Sequence, residues 1–412
     1  MPGGDLLYEI QQLQFSARSD AEALLLAFVR ATFPHLAIMS LELRPQAISL
    51  NSFNGFLTLA DGTRLFFKTH VEQDNLISEY YNAQMLSSAG YPVIQPLYSS
   101  TQSGQQLLIY PLIETPSVFD VARQIETEGE FSSSIAARLT ALQNRSDLDL
   151  YASYESSLER VSADQAETAP IHQLFWHRLT GGRLTRFYGQ DTYLALPHGR
   201  FATTEVFNRN WVINDSTYHE TLGVLVKDAI RILNPRRDEM TIIGHGDAHN
   251  GNIFFSDMGL TYFDPAFAGR HSPILDLVKP VFHNVFAMWM YFPEAERKKL
   301  QISVTDHGGV WEVAHNYHLN PLRTMFFTSK FEHTLIPALR MLKSRGALDG
   351  DWRHRIKLAL MCCPLLTMNL ANFPPEIALL GLSFSIQMGA ESRGIRSILD
   401  VALDEAEARL AD

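Results

Sequence analysis

Two cysteines in 412 residues, side by side at Cys362 and Cys363, cannot staple a chain of this length. Set in an apolar run, they read as reduced core residues and point to a cytoplasmic protein. Basic side chains are also in deficit, with 34 Lys+Arg against 45 Asp+Glu and a formal net charge of -11. A nucleic-acid binder needs a basic face to neutralise phosphate, so no nucleic-acid partner is expected. Long hydrophobic runs are missing. The two most apolar stretches, "PVFHNVFAMWMYFP" and "LALMCCPLLTMNL", fall short of the ~20 residues that span a bilayer, and both carry His, Asn or Pro. No membrane partner is expected either. The opening MPGGDLLYEI has neither the basic start nor the apolar run of a signal peptide. Internal repeats and low-complexity segments are absent, and the length suggests roughly two or three domains or lobes.

What is present changes texture along the chain. Residues 20–33, "DAEALLLAFVRATF", predict an amphipathic helix with Asp20 as its N-cap. From Leu41 to Ile113 short strands dominate, and "FLTLADGTRLFFK" reads as a hairpin turning at Asp61-Gly62. A helix is predicted from Asn75 to Ser88, stopped by Gly90 and Pro92. "QQLLIYPLIE" (105–114) is a further strand. Beyond it the chain reads as largely helical, apart from a small hairpin with strands at 252–255 and 260–264.

The segment "IIGHGDAHNGNIFF" (242–255) concentrates His245, Asp247, His249, Asn250 and Asn252 between glycines. Two chemistries compete for it. His245 and His249 stand four apart, as zinc ligands on one helical face would in a metal-dependent hydrolase. Gly244, Gly246 and Gly251 argue against that helix, at roughly 1 kcal/mol each, and the flanks "TIIG" and "NIFF" read as strands. A loop between strands removes the helical zinc geometry. The other reading uses oxygen donors: Asp247, Asn252 and Asp264 offer two carboxylates and an amide, suited to Mg²⁺ with phosphate oxygens completing its shell.

"HGDAHNGN", then "YFD", then "SPILDLV" resembles the catalytic region of the aminoglycoside phosphotransferase and choline kinase superfamily, relatives of the protein kinases. The resemblance implies an α+β, two-lobed protein-kinase-like fold. Residues 1–113 would form a small strand-rich nucleotide-binding lobe. Residues 114–412 would form a large, mainly helical catalytic and acceptor-binding lobe. It implies roles residue by residue. Asp247 would be the catalytic base, His245 would brace its loop, and Asn252 and Asp264 would bind Mg²⁺. Asp276 would tie the loop backbone from behind. For His249 a phosphate-proximal role and a purely structural one stay equally open. Lys68, ending "RLFFK", would reach the phosphates, and Glu79 on the following helix would hold it. Tyr110 and Leu112 would read the nucleotide base through their main chain, with Ile109 as the inward gate; Pro111 between them has no N–H to give. Ser49, Asn51, Ser52 and Gly55 of "SLNSFNGF" would cover the phosphates, although one glycine stands where protein kinases have three. Pro265 after the metal aspartate is a second departure.

The implied activity is transfer of the γ-phosphoryl group of ATP or GTP to a hydroxyl of a small molecule. A hydrolase built on His245, Asp247 and His249, or a nucleotide-binding pseudo-kinase scaffold, are the rivals. Residues 115–240 exceed what the link between the two motif regions needs and are rich in aromatics. There Arg183 and Arg186 flank Gly181-Gly182 and would suit an anionic acceptor, against the cationic one that the aminoglycoside resemblance suggests.

Overall fold

The structure is a computed structural model describing residues 6–7, 9–10, 13–14, 16–44, 52–70, 73–100, 102 and 105–411, with the side chains of 52, 70 and 73–79 excepted. The chain divides into two compact units: residues 1–116 with 261–266, and residues 117–260 with 267–412.

In the first unit, helix α1 (Arg18–Thr32) buries Ala21, Leu25, Phe28 and Val29, the one-faced spacing of an amphipathic helix. Asp20 sits in its first turn and not at the cap, which is Ala17 without a side-chain bond. The carboxylate meets the helix dipole there instead of an orphan N–H. Strands β1 (Ile38–Leu43), β2 (Ser52–Leu59), β3 (Arg64–His70), β4 (Tyr98–Ser100) and β5 (Leu107–Pro111) form a sheet in the order β1-β2-β3-β5-β4. Every pairing in it is antiparallel. The β2–β3 hairpin turns where Asp61-Gly62 predicted: Gly62 takes φ 86°, and Leu59 N–H closes the turn on Thr63 O at 2.9 Å. Leu41, Leu43, Phe53, Leu57, Leu65, Phe67, Leu107 and Ile109 of the sheet join the buried face of α1 in one core. Helix α2 runs Gln73–Ser88, two residues earlier than predicted.

The second unit is mainly helical but holds more strand than its sequence announced. Helix α3 (Val118–Glu128) starts in a capping box between Ser117 and Asp120 and stops at Gly129 in the left-handed region. Helix α4 (Ser134–Ser157) follows. Strands β6 (Glu159–Val161), β7 (Tyr193–Leu196), β8 (Gly199–Ala202), β9 (Asn210–Ile213), β10 (Ser216–Tyr218), β11 (Glu239–Gly244), β12 (Ile253–Ser256), β13 (Gly259–Tyr262), β14 (Gly269–His271), β15 (Ile302–Asp306), β16 (Val310–His315) and β17 (Arg393–Gly394) make four further sheets. The largest has the order β15-β16-β9-β10-β17, with β9 and β16 parallel. The expectation of helix plus one hairpin after Ile113 is therefore corrected. These strands are short; β7–β8, β9–β10 and β15–β16 are local hairpins, whereas β6–β11 and the parallel β9–β16 pair join segments far apart in sequence.

Helices α5 (Leu222–Ile232), α6 (Pro321–Lys330), α7 (Ile336–Ser344), α8 (Trp352–Leu366), α9 (Pro375–Gly389) and α10 (Ile398–Ala411) each contribute buried apolar side chains to the core. The apolar run with both cysteines is α8, buried from Arg355 through Leu366. Among the described residues no helix is long and apolar enough to cross a membrane.

The candidate catalytic loop and a lysine–carboxylate pair

In the first unit the sheet places Lys68 on β3, the strand between β2 and β5, opposite Asn54 and Leu108. Its Nζ lies 3.2 Å from Asp264 Oδ1, a carboxylate 196 residues later. Segment 261–266 reaches it by main-chain pairing. Tyr262 N–H donates to Pro92 O at 2.7 Å, and Ile94 N–H donates to Tyr262 O at 2.9 Å. The Asn82 side chain of α2 then donates to Pro265 O at 2.9 Å. The strand expected over 260–264 stops at Tyr262. Asp264 lies beyond it at φ 54°, a left-handed conformation that Asp tolerates better than most residues.

Of the remaining expected nucleotide contacts, Tyr110 lies buried within β5 and Leu112 follows the strand, half-buried. Gly55 stands inside β2, paired with Leu43 and Phe67. A Cβ there would collide with Glu42 O and come 2.9 Å from the Phe67 ring, so close strand packing requires the glycine. Ser49, Asn51 and the side chains of Ser52 and Glu79 lie outside the described residues.

In the second unit β11 ends at Gly244, and the loop after it is locked by its own main chain. Gly244 has no room for a side chain: a Cβ would sit 2.5 Å from His271 Nε2 and 2.6 Å from Asp276 Oδ1. Gly246 takes φ 78°, and its missing Cβ would meet Phe267 O. Asp276 Oδ1 accepts from Gly246 N–H at 2.6 Å and from His271 Nε2 at 2.8 Å, while its Oδ2 accepts from the Tyr154 hydroxyl. Burial works to raise the Asp276 carboxyl, but these hydrogen bonds outweigh it and hold the group below the ordinary carboxylate range. His245 beside it is fully buried.

The carbonyl of Asp247 accepts from His249 N–H at 2.8 Å and from Asn252 Nδ2 at 2.9 Å. His249 Nδ1 accepts from Gly251 N–H at 3.1 Å. Asn250 N–H donates to Asn284 Oδ1 at 2.7 Å. Asp247 and Asn252 are thus fixed to one another. Among the described residues no three His, Cys, Asp or Glu side chains are grouped to hold a metal ion, so His245, Asp247 and His249 do not form a zinc cluster.

A cationic surround was not read from the sequence. Buried Lys279 puts Nζ 3.6 Å from Asp247 Oδ1 and 2.8 Å from His283 Nε2. His283 Nδ1 lies 2.6 Å from the Tyr291 hydroxyl. An ammonium has nothing to accept with, so Nε2 is the acceptor. A neutral ring then carries its proton on Nδ1 and donates to Tyr291. Burial, then Lys279, His249 and Arg178, push His283 far below the usual histidine range, which keeps it neutral. His283 and Asn284 occupy a π-helical turn, Phe282–Phe286, a distortion frequent at functional sites. Arg323 pins that turn: its Nη1 donates to Asn284 O at 2.7 Å while Glu126 grips the guanidinium with both oxygens, at 2.5 and 2.7 Å. The one sequence signal was the spacing of Lys279 and His283, four apart in an apolar run.

No protein-family model matches the chain, and no curated protein matches it. Solved structures match along most of its length. An amicoumacin kinase in complex with AMP-PNP, Ca²⁺ and Ami is 13% identical at TM-score 0.45, over 88% of this chain and 92% of that one. Aminoglycoside phosphotransferase APH(4)-Ia with ADP and hygromycin B is 10% identical at TM-score 0.45, over 88% and 98%. A choline kinase from Cryptosporidium parvum is 8% identical at TM-score 0.40, over 90% and 87%.

Proposed function

We propose that this protein is a phosphotransferase that moves the γ-phosphoryl group of ATP or GTP to a hydroxyl of a small molecule. The observation that carries the reading is the Lys68–Asp264 pair, an ammonium and a carboxylate held 3.2 Å apart within one unit. Phosphoryl transfer needs both charges: a cation for the phosphates and an anion for the metal that accompanies them. The fixed loop around Asp247 supports it, because transfer of this kind depends on positioning.

In this mechanism Asp247 accepts the proton of the acceptor hydroxyl as its oxygen bonds to the γ-phosphorus. The bond from that phosphorus to the bridging oxygen breaks, and its electron pair leaves with the nucleoside diphosphate. Lys279 faces the Asp247 carboxylate and holds it in place. Lys68 orients the phosphates. The donors available to Mg²⁺ suit a hard cation: the Asp264 carboxylate, and Asn252 Oδ1, left as acceptor once Nδ2 is spent on the Asp247 carbonyl. When bound, the ion would neutralise phosphate charge.

Asp264→Ala is expected to abolish the Mg²⁺-dependent thermal stabilisation by ATP or GTP that the wild type gives. Equal shifts for the two proteins, with Mg²⁺ present, contradict the assignment. Tightly bound zinc in native metal analysis, with no nucleotide shift, would instead favour the hydrolase.

A further inference from the structure

Among the described residues three lysines are buried, Lys279, Lys330 and Lys357. Lys330 bonds the Asp147 carboxylate, and Lys357 bonds the Asp400 carboxylate. Lys279 is different. Its short bond, 2.8 Å, goes to the uncharged His283 ring, while the Asp247 carboxylate stands at 3.6 Å, beyond hydrogen-bond reach. A neutral acceptor fixes the ammonium without consuming its charge, which stays available to Asp247.

The carboxylate matches this arrangement. The Asp247 carbonyl is tied into the loop, but Oδ1 is sealed from solvent without a hydrogen-bond partner and has the Lys279 charge before it. The side chain is still 17% exposed, and with Oδ1 sealed, Oδ2 is the carboxylate oxygen left for an acceptor. An ion pair of 3.6 Å does not fix the end of a flexible lysine stem. The bond to His283 does, and it exists in one tautomer only. With its proton on Nε2 the ring would set donor against donor and turn the ammonium away. Tyr291 selects the tautomer. Its hydroxyl oxygen takes the Nδ1 proton at 2.6 Å, and its ring stands edge-on to Phe119 with centroids 5.1 Å apart. The π-helical turn that carries His283 meets the same loop twice more. The His283 and His249 ring centroids lie 5.7 Å apart, and Asn284 Oδ1 accepts from Asn250 N–H at 2.7 Å.

We propose that His283 and Tyr291 are positioning residues for the transfer. Tyr291 fixes the His283 tautomer, His283 fixes the Lys279 ammonium, and the ammonium holds Asp247 Oδ1 so that Oδ2 takes the proton of the acceptor hydroxyl. Both residues act through Lys279. The proposal rests on the phosphotransferase reading, and its test separates the two.

ADP or GDP release is to be followed on the best acceptor from a panel of sugars, nucleosides, amino alcohols and aminoglycosides. His283→Met should lower kcat about tenfold or more, with KM and the Mg-nucleotide thermal shift unchanged. His283→Gln, whose Oε1 can stand where Nε2 does, should recover most of that loss. Tyr291→Phe deletes one oxygen and keeps the packing, and it should lower kcat a few-fold. Lys279→Met should lose as much as His283→Met, and the double variant no more than the larger single loss, because the residues act in one chain. The tautomer has a readout that needs no turnover. Ring-nitrogen NMR shifts of histidine-labelled protein, with His283 assigned by its disappearance in His283→Gln, should show a neutral ring with its proton on Nδ1. Those signals should move in Tyr291→Phe and in Lys279→Met. Unchanged kcat in His283→Met, equal kcat in His283→Gln and His283→Met, additive losses, a loss confined to KM, or a ring protonated on Nε2 each overturns the proposal. Absence of any nucleotide shift in the wild type would instead overturn the phosphotransferase reading.

Discussion

Asp276 touches neither expected substrate, yet its carboxylate is where the second unit's loop is fastened. It satisfies a backbone N–H, an imidazole and a phenol at once. Asp276→Ala would orphan all three in a dry site, each costing about 1–3 kcal/mol. Urea unfolding should show a loss of about 3–5 kcal/mol, the range for breaking a buried charged network. A loss below about 1 kcal/mol would mean the network is not formed. At this scale the sequence singled out residues that the structure brings together in pairs, Lys68 with Asp264 and Asp247 with Asn252. It was silent on Lys279, since a lone cation in an apolar stretch does not say what it faces. Tyr154 and His271 were hidden for the same reason: what makes them partners of Asp276 is folding and not spacing.

Among elements, what was readable was local. The β2–β3 hairpin followed from its turn residues, α2 starts two residues before its expected start, and β5 starts two residues late and ends three residues short of 114. The sheet of β9, β10, β15, β16 and β17 was not readable, because β9 and β16 pair in parallel across about a hundred residues and parallel neighbours need a long crossover. Gly55 makes an element-scale test. Between β1 and β3 it leaves no room for a methyl group, so Gly55→Ala must push strands apart. Overpacking of this kind costs roughly 1–3 kcal/mol. The variant should melt lower by the same amount with and without nucleotide. An unchanged melting temperature would contradict the packing, and a loss seen only with nucleotide would point to a phosphate-covering role for Gly55.

Across the whole molecule, buried histidines set the acid limit. Burial drives His172 down to about 4, despite the pull of Glu239 and its hydrogen bond to Ala166 O, and drives His315 to about 4 as well. In the unfolded chain each titrates near about 6.5. The unfolded state therefore binds more protons between those values, and stability falls as pH drops through that window. His172 contributes about 3 kcal/mol to the loss once the pH is below about 4, and half-buried His315 contributes less. Unfolding free energy measured from pH 7.5 to 4 should decline accordingly, and His172→Gln should flatten the decline while keeping a donor for Ala166 O. A pH-independent wild type over that range would contradict the burial described for both rings.

Under the proposed function, Asp247 is the base of a phosphoryl transfer. Its most direct test compares Asp247→Asn with the wild type in acceptor-dependent ADP or GDP release, with Mg-nucleotide thermal shift measured on the same samples. Orienting and base groups of this kind contribute on the order of 10²–10⁴ in rate. Turnover should fall by that much in Asp247→Asn, with the nucleotide shift retained. Near wild-type turnover in Asp247→Asn would contradict it.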